Sequence, residues 1–463
     1  MTVWAASELH SVDFKDVRLS KRLFRLVDDL AAHPTASIPE ACGSWTATKG
    51  AYRFLDSKRV TPAAIRAAHQ ERTLTRVGLQ TTVLVIQDTT ELDFTAHPAT
   101  TDLGYLDHPK HRGLKLHSAL AATTDGVPLG LVDQAVWIRD PATLGKKHQR
   151  AKRETAEKES QRWLTALTAT QNAIPDDIQV ITVADREADF YPLFAAERRT
   201  GAELLIRAAH NRRVDADTQL LEEAIAAAPV GGTLTIAVPR RDDQPARQAT
   251  LALRWTSVTF GPPQNAKQRA TLPHIPVQVV VAEELSPPAG VKPLRWVLLT
   301  TLEVTGWDDA VQLVRWYRTR WLIERYHFVL KSGCGIEKLQ LETADRLQRA
   351  LAVYCVVAWR LLWLTYEARQ QPDEVCTVVL AAHEWQALYC TIHQTAIPPA
   401  TPPTLRQAVR WIAQLGGFLA RTGDGEPGVQ TIWRGLRRLD DIAATWLLLH
   451  HTTPNQLDNS SYG

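Results

Sequence analysis

Two apolar runs in the sequence are each followed closely by an aspartate. Val180 to Ala184 leads directly into Asp185, and Val83 to Ile86 precedes Asp88 by one residue. One carboxylate after an apolar run carries little information, because strands end in polar loops. If both runs are parallel neighbouring strands, however, the two carboxylates emerge at the edge where open α/β sheets bind ligands. The sequence therefore predicts an acidic site that needs a third ligand.

A third carboxylate lies in a helical pattern that opens at Trp307. On one continuous helix, steps of about 100° per residue bring Tyr317, Glu324 and Lys331 nearly into line, with Arg320 close by. Such a row can be an ordinary exposed face with one ion pair. Beside two acidic strand ends, it instead supplies oxygen ligands for Mg²⁺ and donors for phosphate, which phosphodiester chemistry requires.

The composition is that of an ordinary globular protein with several domains. The chain has 463 residues, of which 45% are hydrophobic and 22% charged, and this length suggests about two to four domains. We expect a cytoplasmic protein, since the sequence shows neither a membrane span nor a secretory signal. The five cysteines contain no C-x-x-C pair, so neither a disulfide framework nor a zinc site is indicated.

Positive charge is unevenly distributed although the net charge is only +3. It gathers in four places: Lys15, Arg18, Lys21, Arg22 and Arg25; "KHRGLKLH" from Lys110; "KKHQRAKR" from Lys146; and "RAAHNRR" from Arg207. Each group alone is typical of a solvated face. Together they would suit a polyanionic substrate.

The elements that must position these groups follow from residue periodicity. Helices are predicted at Arg18–Ala32, Thr61–Leu74 and Lys146–Thr170, and strands at Thr81–Gln87, Leu114–Thr124, Gly130–Arg139, Ile178–Ala184 and Glu203–Arg207. Residues 213–294 are predicted to form a β-rich insertion, and the sequence after 345 is mostly helical, ending in a disordered tail. The prediction is an α/β, ribonuclease H-like mixed-sheet core at 76–365, with helical domains at 1–75 and 366–463.

At this level the sequence resembles the DDE transposases of bacterial insertion sequences, in the cut-and-paste group named for insertion sequence four and transposon five. The resemblance covers almost the whole chain. The motifs that carry it are "KGAYRFL" at Lys49, "IQDTTELDF" around Asp88, "DREAD" at Asp185, "RWVLLTT" at Arg295, the Y-(2)-R-(3)-E-(6)-K signature from Tyr317, and "LGGFLARTGDGEPGVQTIWRGLRRL" near the C-terminus.

The resemblance implies a metal-binding triad of Asp88, Asp185 and Glu324 that holds two Mg²⁺ ions, with Mn²⁺ as a substitute. It implies these DNA or phosphate contacts: Tyr317, Arg320, Lys331, Trp296, Arg207, Arg18, Lys21 and Arg22. For Trp296 the alternative is a buried core residue. The implied activity is cutting of transposon ends and joining of the 3′-OH to target DNA. The implied partners are terminal inverted repeats, target DNA and a second chain in a paired-end complex, within the bacterial cytoplasm near the nucleoid.

Two other functions remain open at this point. A ribonuclease H-like nuclease would share the triad but has no need of the helical flanking regions. A non-catalytic DNA-binding regulator would keep those regions and tolerate loss of the triad. The histidines show no H-E-x-x-H spacing, and Glu187 and Asp189 are expected only to form structural ion pairs with Arg186.

Overall fold

The structure is a computed structural model that describes residues 3–145, 159–216, 218–238, 245–264, 266 and 269–450. The chain forms two compact units. The helical unit contains Met1–Arg72, Leu92–Leu114 and Arg325–Gly463, and the sheet unit contains Thr73–Glu91 and Lys115–Glu324. Residues 92–114 and 325–365 therefore fall in the helical unit, whereas the sequence grouped them with the core, and the predicted domain boundaries stay a prediction.

The helices and strands have the following bounds. The helices are α1 Val3–Glu8, α2 Val17–Ala32, α3 Ile38–Cys42, α4 Trp45–Asp56, α5 Pro62–Val77, α6 Gln161–Ala173, α7 Tyr191–Phe194, α8 Leu221–Ala227, α9 Trp307–Arg318, α10 Trp321–Phe328, α11 Ala344–Gln370, α12 Ala382–His393, α13 Leu405–Leu415 and α14 Val429–His450. The strands are β1 Thr82–Asp93, β2 Gly104–Tyr105, β3 Arg112–Thr123, β4 Pro128–Trp137, β5 Gln179–Ala184, β6 Ala202–Arg207, β7 Arg213–Val214, β8 Gln219–Leu220, β9 Val230–Val238, β10 Arg247–Phe260, β11 Ile275–Glu284 and β12 Arg295–Thr300.

The first long helix of the helical unit, α2, is amphipathic. It begins at a cap where the Asp16 carboxylate accepts a hydrogen bond from the backbone N–H of Arg18, which satisfies one of the free donors of the first turn. Its buried residues are Leu23, Leu26, Val27 and Leu30. Because these apolar side chains occupy one stripe, the basic residues fall on the opposite face.

The longest helix, α11, forms much of the core of the helical unit. Its length and apolar content would allow it to cross a membrane, but 83% of its most apolar window is buried inside the protein. Among the residues described, it is the single helix that passes this test. Burial of this kind is typical of a core helix, since a helix that is apolar all round must be covered.

The sheet unit is built on one mixed sheet, as the sequence predicts. The strand order is β3-β1-β5-β6-β12-β11-β10-β7-β8, with β4 paired to β3 and β9 paired to β10. The pairs β1–β5 and β5–β6 are parallel, and β6–β12, β12–β11 and β11–β10 are antiparallel. The strands β7–β11 of the predicted β-rich insertion therefore extend the central sheet beyond β12.

Some sequence expectations differ from the structure in local detail, and others lie outside the described residues. The strand predicted to end at Gln87 continues to Asp93 as β1, so Asp88 lies inside a strand. Of the helix predicted at Lys146–Thr170, residues 146–158 lie outside the described residues, and α6 begins at Gln161. The basic run from Lys146 and the tail after residue 450 also lie outside them.

The continuous helix predicted from Trp307 is wrong, because the chain breaks twice. Helix α9 ends at Arg318, where the Thr319 hydroxyl donates to the carbonyl of Trp316 at 2.6 Å and competes with the helical backbone bond. A second change follows α10, where Val329–Gly333 forms a π-helical turn. The row of side chains calculated at about 100° per residue therefore does not exist as a single helix face.

Candidate active site

The two aspartates are placed by parallel strand pairing. The register of β1 and β5 pairs Ile86 with Val183, and two residues further along each strand come Asp88 and Asp185. The sequence prediction that both carboxylates emerge beside each other at one edge rests on this pairing, and the pairing is confirmed. Asp88 and Asp185 are 97 positions apart in the sequence, and the register of the mixed sheet brings them together.

Backbone amides hold each of the two carboxylates. One Asp88 oxygen accepts a hydrogen bond from the N–H of Thr89 at 2.8 Å. One Asp185 oxygen accepts from the N–H of Glu187, also at 2.8 Å, and caps the short 3-10 turn Arg186–Ala188. One such bond does not exhaust either carboxylate, since an ionised carboxylate has about four acceptor sites.

The third carboxylate acts on Asp88 through its charge. Burial, together with the neighbouring Asp185 carboxylate, raises the pKa of Asp88 to about 7, and Glu324 adds to this effect. The Arg320 guanidinium and the Thr89 N–H oppose it. Carboxylates that act on one another in this way repel one another, and a divalent cation with hard oxygen ligands would relieve that repulsion. The donor set therefore fits Mg²⁺ or Mn²⁺.

Glu324 is the most accessible member of the three. It lies on α10 with 48% of its side chain exposed, and its Oε1 accepts a hydrogen bond from Arg320 at 2.5 Å. The Arg320 guanidinium lies 5.8 Å from the ring centroid of Tyr317. Burial raises the pKa of the Tyr317 phenol, although the nearby guanidinium groups of Arg320 and Arg207 act in the opposite direction.

A cavity of about 960 Å³ in the sheet unit joins five of the predicted residues: Arg207, Trp296, Tyr317, Arg320 and Glu324. Trp296 is half-buried, and its ring centroid lies 5.8 Å from that of Tyr317 in an edge-to-face arrangement. Sequence reasoning missed other cationic and aromatic residues of this cavity: Arg186, Arg247, Lys292, Arg318 and Trp321. They come from a turn, a strand, a loop and the helices α9 and α10, and the fold brings these elements together.

The remaining predicted residues lie in the helical unit. Lys331 is in the π-helical turn, with its ammonium 3.5 Å from the Glu337 carboxylate. Arg18, Lys21 and Arg22 line a groove of about 720 Å³, together with Arg25, Asp28 and Asp29 of the same helix and the first turn of α4. Its basic residues outnumber its acidic ones. We call this the cationic groove. The structure therefore brings the three N-terminal basic residues together on one surface.

Glu187 and Asp189 form ion pairs, but with other partners than the expected Arg186. Glu187 accepts from Arg162 at 2.9 Å. The fully buried Asp189 carboxylate pairs with Arg212 and also accepts from the N–H of Ala209 at 2.6 Å. Asp189 thereby anchors the segment that follows β6.

One further group of possible metal ligands lies in the helical unit. His33 Nε2 is 3.6 Å from Asp440 and 3.8 Å from Asp441, and among described residues this is the one group of three whose ligand atoms all lie within 4.8 Å of one another. The Asp88, Asp185 and Glu324 carboxylates are therefore spaced more widely. The distances suit a polar contact between the histidine and the two carboxylates.

Comparison with known families decides the identity. A model described as "Transposase DDE domain" matches residues 80–360, more than half of the chain. The chain belongs to the DDE transposases. Models described as "Transposase DNA-binding" and "Transposase Tn5 dimerisation domain" match residues 1–60 and 356–445 of this DDE transposase.

The three matches together indicate a transposase of the transposon-five and insertion-sequence-four type. They confirm the ribonuclease H-like fold class and the transposase prediction. The domains indicate a DNA-cutting and DNA-joining enzyme whose partners are DNA and a second chain, in a family that uses divalent metals. The flanking matches also disfavour a nuclease without transposition.

Proposed function

We propose that this transposase cuts transposon ends and joins the freed 3′-OH to target DNA at the acidic edge of the sheet unit. Asp88, Asp185 and Glu324 would hold two Mg²⁺ ions, or Mn²⁺ in their place. Such a pair of ions activates the attacking oxygen and stabilises the leaving 3′ oxygen. The observation that carries this proposal is the parallel register of β1 and β5, together with the effect of Glu324 on Asp88.

The residues around the carboxylates suit a phosphodiester substrate. Arg320 and Arg207 would neutralise phosphate charge at the cavity, and the Tyr317 hydroxyl would donate a hydrogen bond to a phosphate oxygen. Trp296, half-buried on the cavity wall, would stack on an unpaired base, since base stacking on aromatic rings is sequence-tolerant. Lys331 would contact the DNA backbone from the helical unit.

Recognition of the ends would belong to the cationic groove. Arg18, Lys21 and Arg22 line it, and an α-helix that presents basic residues suits the major groove of DNA. Two chains and two ends, which are the terminal inverted repeats, would form a paired-end complex in the cytoplasm. Each acidic edge would cut the end that the other chain recognises.

The test of the site is alanine substitution of Asp88, Asp185 and Glu324, one at a time. Metal ligation supplies several kcal/mol of transition-state stabilisation, so we expect each variant to lose cleavage by about a thousandfold or more. Binding to end DNA should stay close to wild type, because recognition uses the other unit. The measurements are nicking of labelled end DNA in Mg²⁺ and a mobility-shift titration.

The matched control is Asp177→Ala, which removes an exposed carboxylate shortly before β5 and should cut normally. Near-wild-type nicking by any of the three variants removes that residue from the triad. If the wild-type protein binds ends but never cuts them in Mg²⁺ or Mn²⁺, the chain is a non-catalytic regulator instead.

A further inference from the structure

Arg162, on the first turn of α6, connects the segments that follow both aspartates. Its Nε donates to the Thr89 hydroxyl at 2.8 Å, and one terminal nitrogen donates to the Glu187 carboxylate at 2.9 Å. Thr89 directly follows Asp88, and the N–H of Glu187 donates to Asp185. A single guanidinium therefore joins the side chain of the residue after Asp88 to a residue of the turn that Asp185 caps.

The Thr89 hydroxyl extends this connection into the core. Because it accepts a hydrogen bond from Arg162, its own proton is free to point at Nδ1 of the buried His117, 2.9 Å away. The other ring nitrogen of His117, Nε2, lies 3.3 Å from Oε1 of Gln87. The residues on both sides of Asp88 are thus tied to one chain of hydrogen bonds that begins at Arg162.

The Arg162 side chain is held in one orientation. Only 14% of it is exposed, and its guanidinium lies 5.4 Å from the centroid of the Trp137 ring and 5.7 Å from that of Trp163. A third hydrogen bond reaches the carbonyl of Glu159 at 2.8 Å. A planar fork of donors can make these bonds at once, whereas a lysine ammonium cannot reproduce the fork.

We propose that Arg162 is a positioning residue that fixes the separation of the Asp88 and Asp185 carboxylates and thereby sets the affinity of the site for divalent cations. This inference rests on the proposed role of the two aspartates as metal ligands. Like-charged carboxylates spread apart when no cation lies between them, and the spreading must be reversed on binding. Arg162 resists it by holding both segments, in the way that partners of metal ligands commonly tune a site.

The experiment measures Mn²⁺ binding directly, from the electron paramagnetic resonance signal of free Mn²⁺, on the full-length protein. We expect Arg162→Ala to weaken Mn²⁺ binding by about 10- to 100-fold, and Arg162→Lys to restore only part of it. The Mg²⁺ concentration for half-maximal nicking should rise by a similar factor. Cleavage at saturating Mg²⁺ should stay within a fewfold of wild type, since the proposal gives Arg162 no direct contact with substrate or metal.

A matched control separates positioning from general stability. Arg199 is equally buried, with 16% of its side chain exposed, and it donates to the carbonyls of Asp176 and Ile178 before the start of β5. Arg199→Ala should lower the melting temperature without changing Mn²⁺ affinity. A second variant, Glu187→Ala, removes an acceptor of Arg162 at a side chain that is 59% exposed, and should weaken Mn²⁺ binding by a smaller factor.

The outcomes separate this inference from the proposed function. Wild-type Mn²⁺ affinity in Arg162→Ala and Glu187→Ala, or an equal loss in Arg199→Ala, overturns the positioning role while the triad stands. Should Arg162→Ala fail to fold, unchanged affinity in Arg162→Lys and Glu187→Ala would overturn it equally. Retained cleavage in the Asp88, Asp185 and Glu324 variants would instead overturn the proposed function.

Discussion

The acidic edge and the cationic groove place charge in opposite ways. At the acidic edge, paired strands and backbone amides fix Asp88 and Asp185, and burial and mutual repulsion raise the pKa of Asp88 to about 7. In the cationic groove, Arg18 is 90% exposed and pairs with the Asp16 carboxylate at 3.0 Å. The exact placement of side chains should therefore matter most for function at the acidic edge, and the total positive charge should matter most in the cationic groove.

This difference suggests that the two sites of one chain act on different DNA ends. Mixed dimers of wild-type and variant chains can test this, and we expect the largest effect here. Mixing wild-type protein with an excess of Glu324→Ala should suppress double-end cleavage far more than dilution does. The variant still binds an end through its cationic groove, but it supplies an inactive acidic edge to the end held by its partner. The measurement is the yield of double-end cleavage against the wild-type fraction.

The control for this mixing experiment uses the opposite defect. An excess of protein with Arg18→Ala, Lys21→Ala and Arg22→Ala together should suppress cleavage less, because that variant enters fewer paired complexes. Cleavage that falls only in proportion to the wild-type fraction, with one chain per DNA end in light scattering, would contradict the paired model.

The sequence anticipated those parts of the acidic edge that follow from local pattern. Val83 to Ile86 and Val180 to Ala184 are apolar, β-branched runs, and each became a buried parallel strand. The predicted pairing of these two strands is confirmed. Parallel neighbours bring their carboxyl ends to one edge of a sheet. The strands of the insertion were found for the same reason.

Other features of the structure could not be predicted from local sequence pattern. The break at Thr319 depends on one hydroxyl that bonds to the Trp316 carbonyl, and apolar periodicity does not register such a bond. The contact of Arg162 with Thr89 spans 73 positions, and the contact of His33 with Asp440 joins the residue after α2 to α14. Contacts of this kind depend on tertiary packing, so no spacing in the sequence indicates them.

Without bound metal, the repulsion between the carboxylates of the acidic edge should lower the stability of the folded protein. The pKa of Asp88 lies above its ordinary value of 3.8, near 7, so the folded state binds the proton more tightly than the unfolded state. Stability from this group is present below about pH 4 and is lost as the pH rises through 7. We therefore expect metal-free Asp88→Asn to melt at least about 2 °C above wild type at pH 8, with little difference at pH 4.

The same melting curves contain their own checks. Adding Mg²⁺ at pH 8 should raise the melting temperature of wild type more than that of Asp88→Asn, because only the wild-type site keeps all its carboxylates. Asp177→Asn, at an exposed carboxylate, should show neither effect. An equal difference between Asp88→Asn and wild type at both pH values would mean that packing, and not charge, explains it.

The smallest expected effect concerns the cationic groove. It tests whether the placement of the Arg22 guanidinium matters for binding of end DNA. A Cβ atom at Gly50 of α4 would lie 1.1 Å from a terminal nitrogen of Arg22, so the guanidinium rests directly on the glycine. Gly50→Ala must displace it, yet the fold should tolerate the change, since the clash is with the end of a flexible side chain and alanine favours a helix by about 0.5–1 kcal/mol. We expect Arg22→Ala to weaken end binding by about 1–3 kcal/mol and Gly50→Ala to weaken it by less. Gly50→Ala should leave the salt dependence of binding unchanged, because it removes no charge.

The two single variants and the double variant form a cycle, measured by titration of end DNA at several salt concentrations. With no guanidinium left to displace, Gly50→Ala should have no effect in the Arg22→Ala background, and an equal loss of affinity in both backgrounds would show that Gly50 acts on the groove by another route.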